Sequence, residues 1–300
     1  MMPVLRRAIP VLMAVLAMAH TGCGSKSSER TPTGPQPPAS GDEGRLSAMA
    51  VAPSLGAADS YGVVGSSTVT NTGPTVVSVD LGLSPGTSVT GFPPGTVTGT
   101  INAANAAALA AQNAVTTAYN ALTGQPCDVN LTGTDLGGLT LTPGAYCFSS
   151  SAQLTGTLTL DGLGNPGSVW VFQIGSTLTT ASNARVAYIN GGQACGTFWQ
   201  VGSSATLGTT TSFAGNVLAL ASITLNTGAD NVGGLFARTG AVTLDTNDVS
   251  RVGSCGAGAQ PSPTPLPGPG PGPVPALPPG AGLALLVVLL SVGGYILTRH

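Results

Sequence analysis

Thr206-Leu207-Gly208-Thr209, Thr224-Leu225-Asn226-Thr227 and Thr243-Leu244-Asp245-Thr246 are three copies of one string, TLxT, spaced 18 and then 19 residues apart. The surrounding lines stack as well. GTFWQVGSSATLGTTTS, GNVLALASITLNTGAD and GGLFARTGAVTLDTND align with their Thr-Leu pairs in register. The earlier VWVFQIGSTLTTASN joins them through a longer connection, ARVAYINGGQACG. So short a period fits one coil of a β-solenoid with three short strands per turn. In such a coil the leucine points inward and its neighbours outward, and coils stack at about 4.7 Å. Thr206, Thr224 and Thr243 then form one file.

Most of the remaining chain reads as strand. STVTNTGPTVVSVDLGLS, LGGLTLTPGAYCFSS and LTGTLTLDG alternate Thr/Ser with Val/Leu and break at Gly or Pro. One stretch is helical, TINAANAAALAAQNAVTTAYNALTGQ. Ile101, Ala108, Val115 and Leu122 recur every seven residues with Ala104, Ala111 and Ala118 between them, predicting a helix over about 101–123 that Gly124 ends. Its small-residue stripe suits close packing along a flat sheet.

Composition narrows the function. Only 7% of the 300 residues are charged, against about 25% in ordinary soluble domains, and 44 are glycine. Between Leu46 and Cys255 the basic residues are Arg185, Arg238 and Arg251, with no Lys. A nucleic-acid footprint is excluded and nothing points to a nucleotide or another cofactor. His20 and His300 are the two histidines, so the central region has no imidazole for a triad, a general base or a zinc site. Asp245 and Asp248 are the one close acidic pair, and they read as a turn. No catalytic residue and no metal ligand is assigned. A polysaccharide lyase on a β-helix would need Asp, Lys and Arg clustered in a groove.

The two ends read as export and anchoring. Arg6 and Arg7 precede an apolar run from Ala8 to Ala19, a signal-peptide layout over residues 1–23. Two processing readings stand: AMA at 17–19 fits ordinary signal peptidase, and Cys23 in TGCGSKSS resembles a lipoprotein cysteine. A polar tether follows over 24–45, then the central domain, 46–255. After it come a Pro/Gly-rich linker, 256–280, and a C-terminal segment, 281–300, whose apolar run from Ala281 to Leu297 reads as a transmembrane helix or a sorting tag. The expected location is the cell envelope, through the C-terminal segment, an N-terminal lipid, or both. The remaining cysteines are Cys127, Cys147, Cys195 and Cys255, and an even count in an exported domain reads as disulfides. Of the three pairings, Cys127–Cys147 with Cys195–Cys255 is preferred, since each pair brackets a coherent segment.

An outward threonine file has a plain reading: threonine forms strands well and ladders pack across them. It has a sharper one too. Methyls and hydroxyls repeated at about 4.7 Å one way and about 6.6 Å the other make a two-dimensional lattice, comparable to oxygen spacings on ice. The methyls can hold a water cage that the hydroxyls anchor, and the scarcity of charge keeps that water ordered.

The segments GPTVVSVDLGLSPGTSVTGFPPGTV, DLGGLTLTPGAYCFSSSAQLTGTLTLDG, VWVFQIGSTLTTASNARV, FWQVGSSATLGTTTSFAGNVLALASITLNTGA and ARTGAVTLDTN resemble the ice-binding protein family of bacteria, fungi and microalgae, from about Leu55 to Val252. The resemblance implies a mostly β, right-handed, three-faced, discontinuous β-solenoid with one long helix alongside. It implies ice as partner and a flat Thr/Ser/Ala-rich face carrying a Thr-Ala/Gly-x-Thr/Asn motif. TASN matches that motif with Thr180, Ala181 and Asn183. The aligned places in later coils hold Thr209 and Thr211, Thr227 and Gly228, and Thr246, with Asp230 and Val249 as departures. These residues are the expected ice-binding site, with Thr206, Thr224 and Thr243 secondary. The alternative is a surface adhesin or structural solenoid that does not touch ice.

Overall fold

The computed structural model describes residues 50–252 and Cys255; the leader with Cys23, the tether, the linker and the run at 281–297 lie outside the described residues. Strands dominate, in three all-parallel sheets of nine, seven and eight strands. Each full coil gives one strand to each sheet. Trp170–Ile174, Leu178–Thr180 and Arg185–Ile189 form one coil, and Thr197–Val201, Ala205–Leu207 and Ser212–Ala214 the next. Asn216–Ala219, Ile223–Leu225 and Asp230–Val232 follow, then Leu235–Ala237, Val242–Asp245 and Asp248–Ser250.

Stacking order departs from chain order at that last coil. Its three strands pair with Tyr61–Gly65, Thr68–Thr72 and Val76–Val77 from the start of the domain. A further coil, Asp80–Leu83, Ser88–Thr90 and Thr96–Val97, lies beyond it. The solenoid is therefore discontinuous. Arg251, just past the last strand, fastens the join by donating to the carbonyls of Ala58 and Tyr61 at 3.2 and 2.8 Å and to the Asp59 carboxylate at 3.0 Å.

Apart from its exposed edge strands, Ile101–Ala103 and Val129–Asn130, the nine-stranded sheet is buried on both sides, which explains unbroken apolar runs such as Trp170–Ile174 and Thr197–Val201. Inward, Tyr146, Phe172 and Trp199 stack in register, the last two with ring centroids 3.9 Å apart. Outward, Ala145, Val171, Phe198, Leu218, Phe236 and Val64 meet the helix.

That helix, α1, runs Ala106–Thr123, not from 101. Ile101–Ala103 pairs with Leu81–Leu83 as a strand, and Ala104 turns out of it with φ 51°. Asn105 then caps the helix, its side chain accepting the Ala108 N–H at 2.9 Å. Ala108, Ala111, Val115, Ala118 and Leu122 are buried as the seven-residue pattern requires; Gln112 and Tyr119 join them. Gln112 donates to the carbonyls of Ala237 and Arg238, and the Tyr119 hydroxyl accepts from Gln200 at 2.8 Å. Both disulfides, Cys127–Cys147 and Cys195–Cys255, are formed.

Candidate functional site

With the nine-stranded sheet under α1, two sheets face solvent, and their chemistry differs. On the eight-stranded sheet the outward positions include Arg185, Asp230 and Asp248, all exposed, and Asp161. That face is charged. The seven-stranded sheet carries almost none.

Register explains the composition of the seven-stranded sheet. Six of the seven strands repeat a small or polar residue, an apolar residue, an outward threonine and an inward residue; Ala152–Leu154 has Gln153 in the threonine's place. The apolar partners Leu178, Ala205, Ile223, Val242 and Val69 are buried. Between them Thr179 pairs with Thr206, Thr206 with Thr224, Thr224 with Thr243, Thr243 with Thr70, and Thr70 with Thr90. Six outward threonines thus stand in one file, with Gln153 beside Thr179. Thr177, Ser204, Ser222, Ala241, Thr68 and Ser88 precede the apolar residues and form a second file of small groups. Seven strands at about 4.8 Å span roughly 29 Å along the stack. The hydroxyls cross-link sparingly: Thr70 Oγ1 donates to Thr243 Oγ1 at 3.4 Å and Thr177 Oγ1 to Ser151 Oγ at 2.8 Å. Most Thr hydroxyls in the file are left to water.

The predicted site residues separate into three groups. Thr206, Thr224 and Thr243, ranked second from the sequence, sit in the middle of the seven-stranded sheet. Thr180 and Thr211 are corrections: they are 3% and 1% exposed, their hydroxyls paired at 2.8 Å, and Thr180 also accepts the Gly208 N–H. They belong to the core. Ala181, Asn183, Thr209, Thr227, Gly228 and Thr246 lie at the corner between the two solvent-facing sheets. There the chain turns through left-handed backbone at Asn183, Thr210, Gly228 and Thr246. Thr209, Thr227 and Thr246 therefore do not open strands. The two departures move too: Asp230 is outward on the charged sheet, and Val249 is fully buried.

The slip has a definite cause. Thr177-Leu178-Thr179-Thr180 imitates TLxT, but Leu178 pairs with Ala205 and not with Leu207. The copy is offset by two residues, so Thr180 occupies the slot of Leu207, Leu225 and Leu244. Sequence reasoning also missed Thr179, Thr70 and Thr90. A broader pattern would have found them: Thr68-Val69-Thr70 and Ser88-Val89-Thr90 repeat the order of Ser222-Ile223-Thr224.

Two carboxylates adjoin this sheet. Asp135 bridges to Gln153 at one end of the stack. Burial pushes its carboxyl up, but the N–H groups of Gly137 and Thr155 and the Thr155 hydroxyl outweigh that and hold it below the usual range. Asp245 follows the inward Leu244 and accepts hydrogen bonds from the hydroxyls of Thr227 and Thr246. Among the described residues no group of three or more potential ligands could hold a metal ion.

The profile of the Ice-binding-like family matches residues 63–250. An ice-binding protein of Nostoc sp. (strain HG1) is 59% identical over 197 residues, covering 65% of this chain and 73% of its own. One from Flavobacterium frigoris (strain PS1) is 31% identical over 284 residues, covering 83% of this chain and 99% of its own. Among solved structures, an ice binding protein from an Antarctic biological consortium superposes with TM-score 0.66 at 46% identity, covering 68% of this chain and 92% of that one. The ice-binding protein domain from Shewanella frigidimarina gives 0.63 at 32% identity, covering 68% and 99%.

Proposed function

Because the chain belongs to the Ice-binding-like family, we propose that it binds ice and that the seven-stranded threonine sheet is the surface that does so. The observation carrying this reading is the in-register file of Thr179, Thr206, Thr224, Thr243, Thr70 and Thr90 on a face whose strands carry a single ionisable group, Asp245. Each threonine offers a methyl that water must cage and a hydroxyl that can enter the cage. The parallel ladder repeats those groups at about 4.8 Å, so water over one coil continues over the next. β-Branched side chains on a strand hold few rotamers, which keeps the array ordered before ice arrives. The charged sheet lacks this property: Arg185, Asp230 and Asp248 bind water by charge, each in its own orientation. The activity is adsorption, and the chain is not an enzyme.

The domain is displayed at the cell envelope in this reading. The support is the leader with Arg6, Arg7 and Cys23 and the linker and apolar run after Cys255. Fractionation of expressing cells checks it, and a wholly cytosolic product counts against it.

The central test is an ice assay on the purified domain, residues 46–255. Thermal hysteresis, crystal shaping or recrystallisation inhibition is the expected result, and Thr224→Tyr abolishes it with an unchanged circular dichroism spectrum. No effect at high micromolar concentration removes the ice reading. Full activity in Thr224→Tyr moves it to another face.

A further inference from the structure

The file running beside the central threonines toward the corner is uneven. Its members, each following an inward residue, are Thr155, Ala181, Gly208, Asn226, Asp245 and Thr72. Asp245 is the one ionisable group among them. Its strand lies within the stack, with Ile223–Leu225 on one side and Thr68–Thr72 on the other. It pairs with Thr72, and the equivalent position in the preceding coil is the neutral Asn226. Among the described residues the one ion pair is Arg251–Asp59, so no cation neutralises Asp245. Its partners are two hydroxyls, from Thr227 of the preceding coil and from Thr246.

We propose that Asp245 limits how firmly this sheet holds ice, and that its neutral isostere strengthens adsorption. The inference rests on the threonine sheet being the ice-binding surface. A carboxylate draws water hydrogens toward its charge from every open side and holds that shell tightly. Water fixed in this way cannot also take the positions that the lattice over Asn226 and Thr72 demands. The gap therefore falls inside the face, where it divides the third file. An amide at the same position keeps the shape, can still accept from Thr227 or Thr246, and offers water a neutral donor and acceptor.

Asp248 supplies the control, since it lies three residues on, exposed, on the charged sheet. Thermal hysteresis is measured on the full chain for wild type, Asp245→Asn, Asp245→Thr and Asp248→Asn, with melting temperatures taken alongside. The expected result is a wider hysteresis gap for a folded Asp245 variant and none for Asp248→Asn. A gap opening in Asp245→Asn where wild type shapes crystals or inhibits recrystallisation without measurable hysteresis supports the inference equally. Activity in the folded Asp245 variants equal to or below wild type overturns it while leaving the ice reading intact. An equal rise in Asp248→Asn also overturns it, by making net charge the cause. Absence of activity in all four chains removes both ideas together.

Discussion

Thr70 and Thr243 are neighbours on the threonine sheet although 173 residues separate them in the chain, with Thr70 Oγ1 donating to Thr243 Oγ1 at 3.4 Å. The surface is thus composite. Thr70 and Thr90 come from the first coils of the domain, and Thr179 to Thr243 from its later ones. If ice contacts the whole file, Thr70→Tyr abolishes hysteresis as completely as Thr243→Tyr, both with native circular dichroism. Full activity in the Thr70 variant would confine adsorption to the later coils.

Thr180 separates packing from contact. Its hydroxyl accepts from Gly208 and pairs with Thr211, both at 2.8 Å, inside the core. Thr180→Val leaves the Gly208 N–H without its acceptor, while Thr211 keeps its bond to the Ala181 carbonyl, at a cost of about 1–3 kcal/mol. In a domain of this size that lowers the melting temperature by a few degrees per kcal/mol. Ice activity per folded molecule stays at the wild-type level near 0 °C, and a selective loss of activity without loss of stability contradicts this assignment.

Asn231 is fully buried, in register with Phe213 and Val249, and neither end of its amide has a hydrogen-bond partner among the described residues. A buried polar group without a partner costs about 1–3 kcal/mol. Asn231→Val, which puts into this coil the residue its neighbour already uses, should raise the melting temperature by several degrees. A lower melting temperature would mean that the amide is satisfied in solution.

Asp135 governs part of the acid response. Its carboxyl is held below the ordinary value near 4 in the folded state. A depressed carboxyl contributes stability above its unfolded pKa and loses it as pH falls through the folded pKa. Thermal melts should therefore fall on acidification below about pH 4. Asp135→Asn is expected to melt lower than wild type at neutral pH and to lose part of that acid slope. A parallel acid limb in the variant would assign the response to other carboxyls.

The solenoid, its coil length and the buried leucines were legible because a period of two places Leu207, Leu225 and Leu244 inward whatever surrounds them. The helix was legible from Ala108 to Leu122, since a seven-residue repeat of small residues needs a flat partner. Its start was not, because Ile101 obeys the helical spacing while pairing with Leu81 as a strand. The site was half legible. String identity cannot tell an outward threonine from an inward one, and TLTT at 177–180 shows it. Only the pairing of Leu178 with Ala205 decides that Thr179 faces out and Thr180 in. The part played by Thr70 and Thr90 required knowing that the first coils stack on the last.

That stacking also sets the order in which the molecule can be completed. The coils that hold Thr70 and Thr90 are made first, yet the edge they pair with, Leu235–Ala237 and Val242–Asp245, is made nearly last. Until then their strands have each other but no stack to extend, and closing the stack brings together segments far apart in the chain. A chain cut short before Leu235 loses more than one coil: it orphans two others, and the threonine file shrinks from both sides of the break.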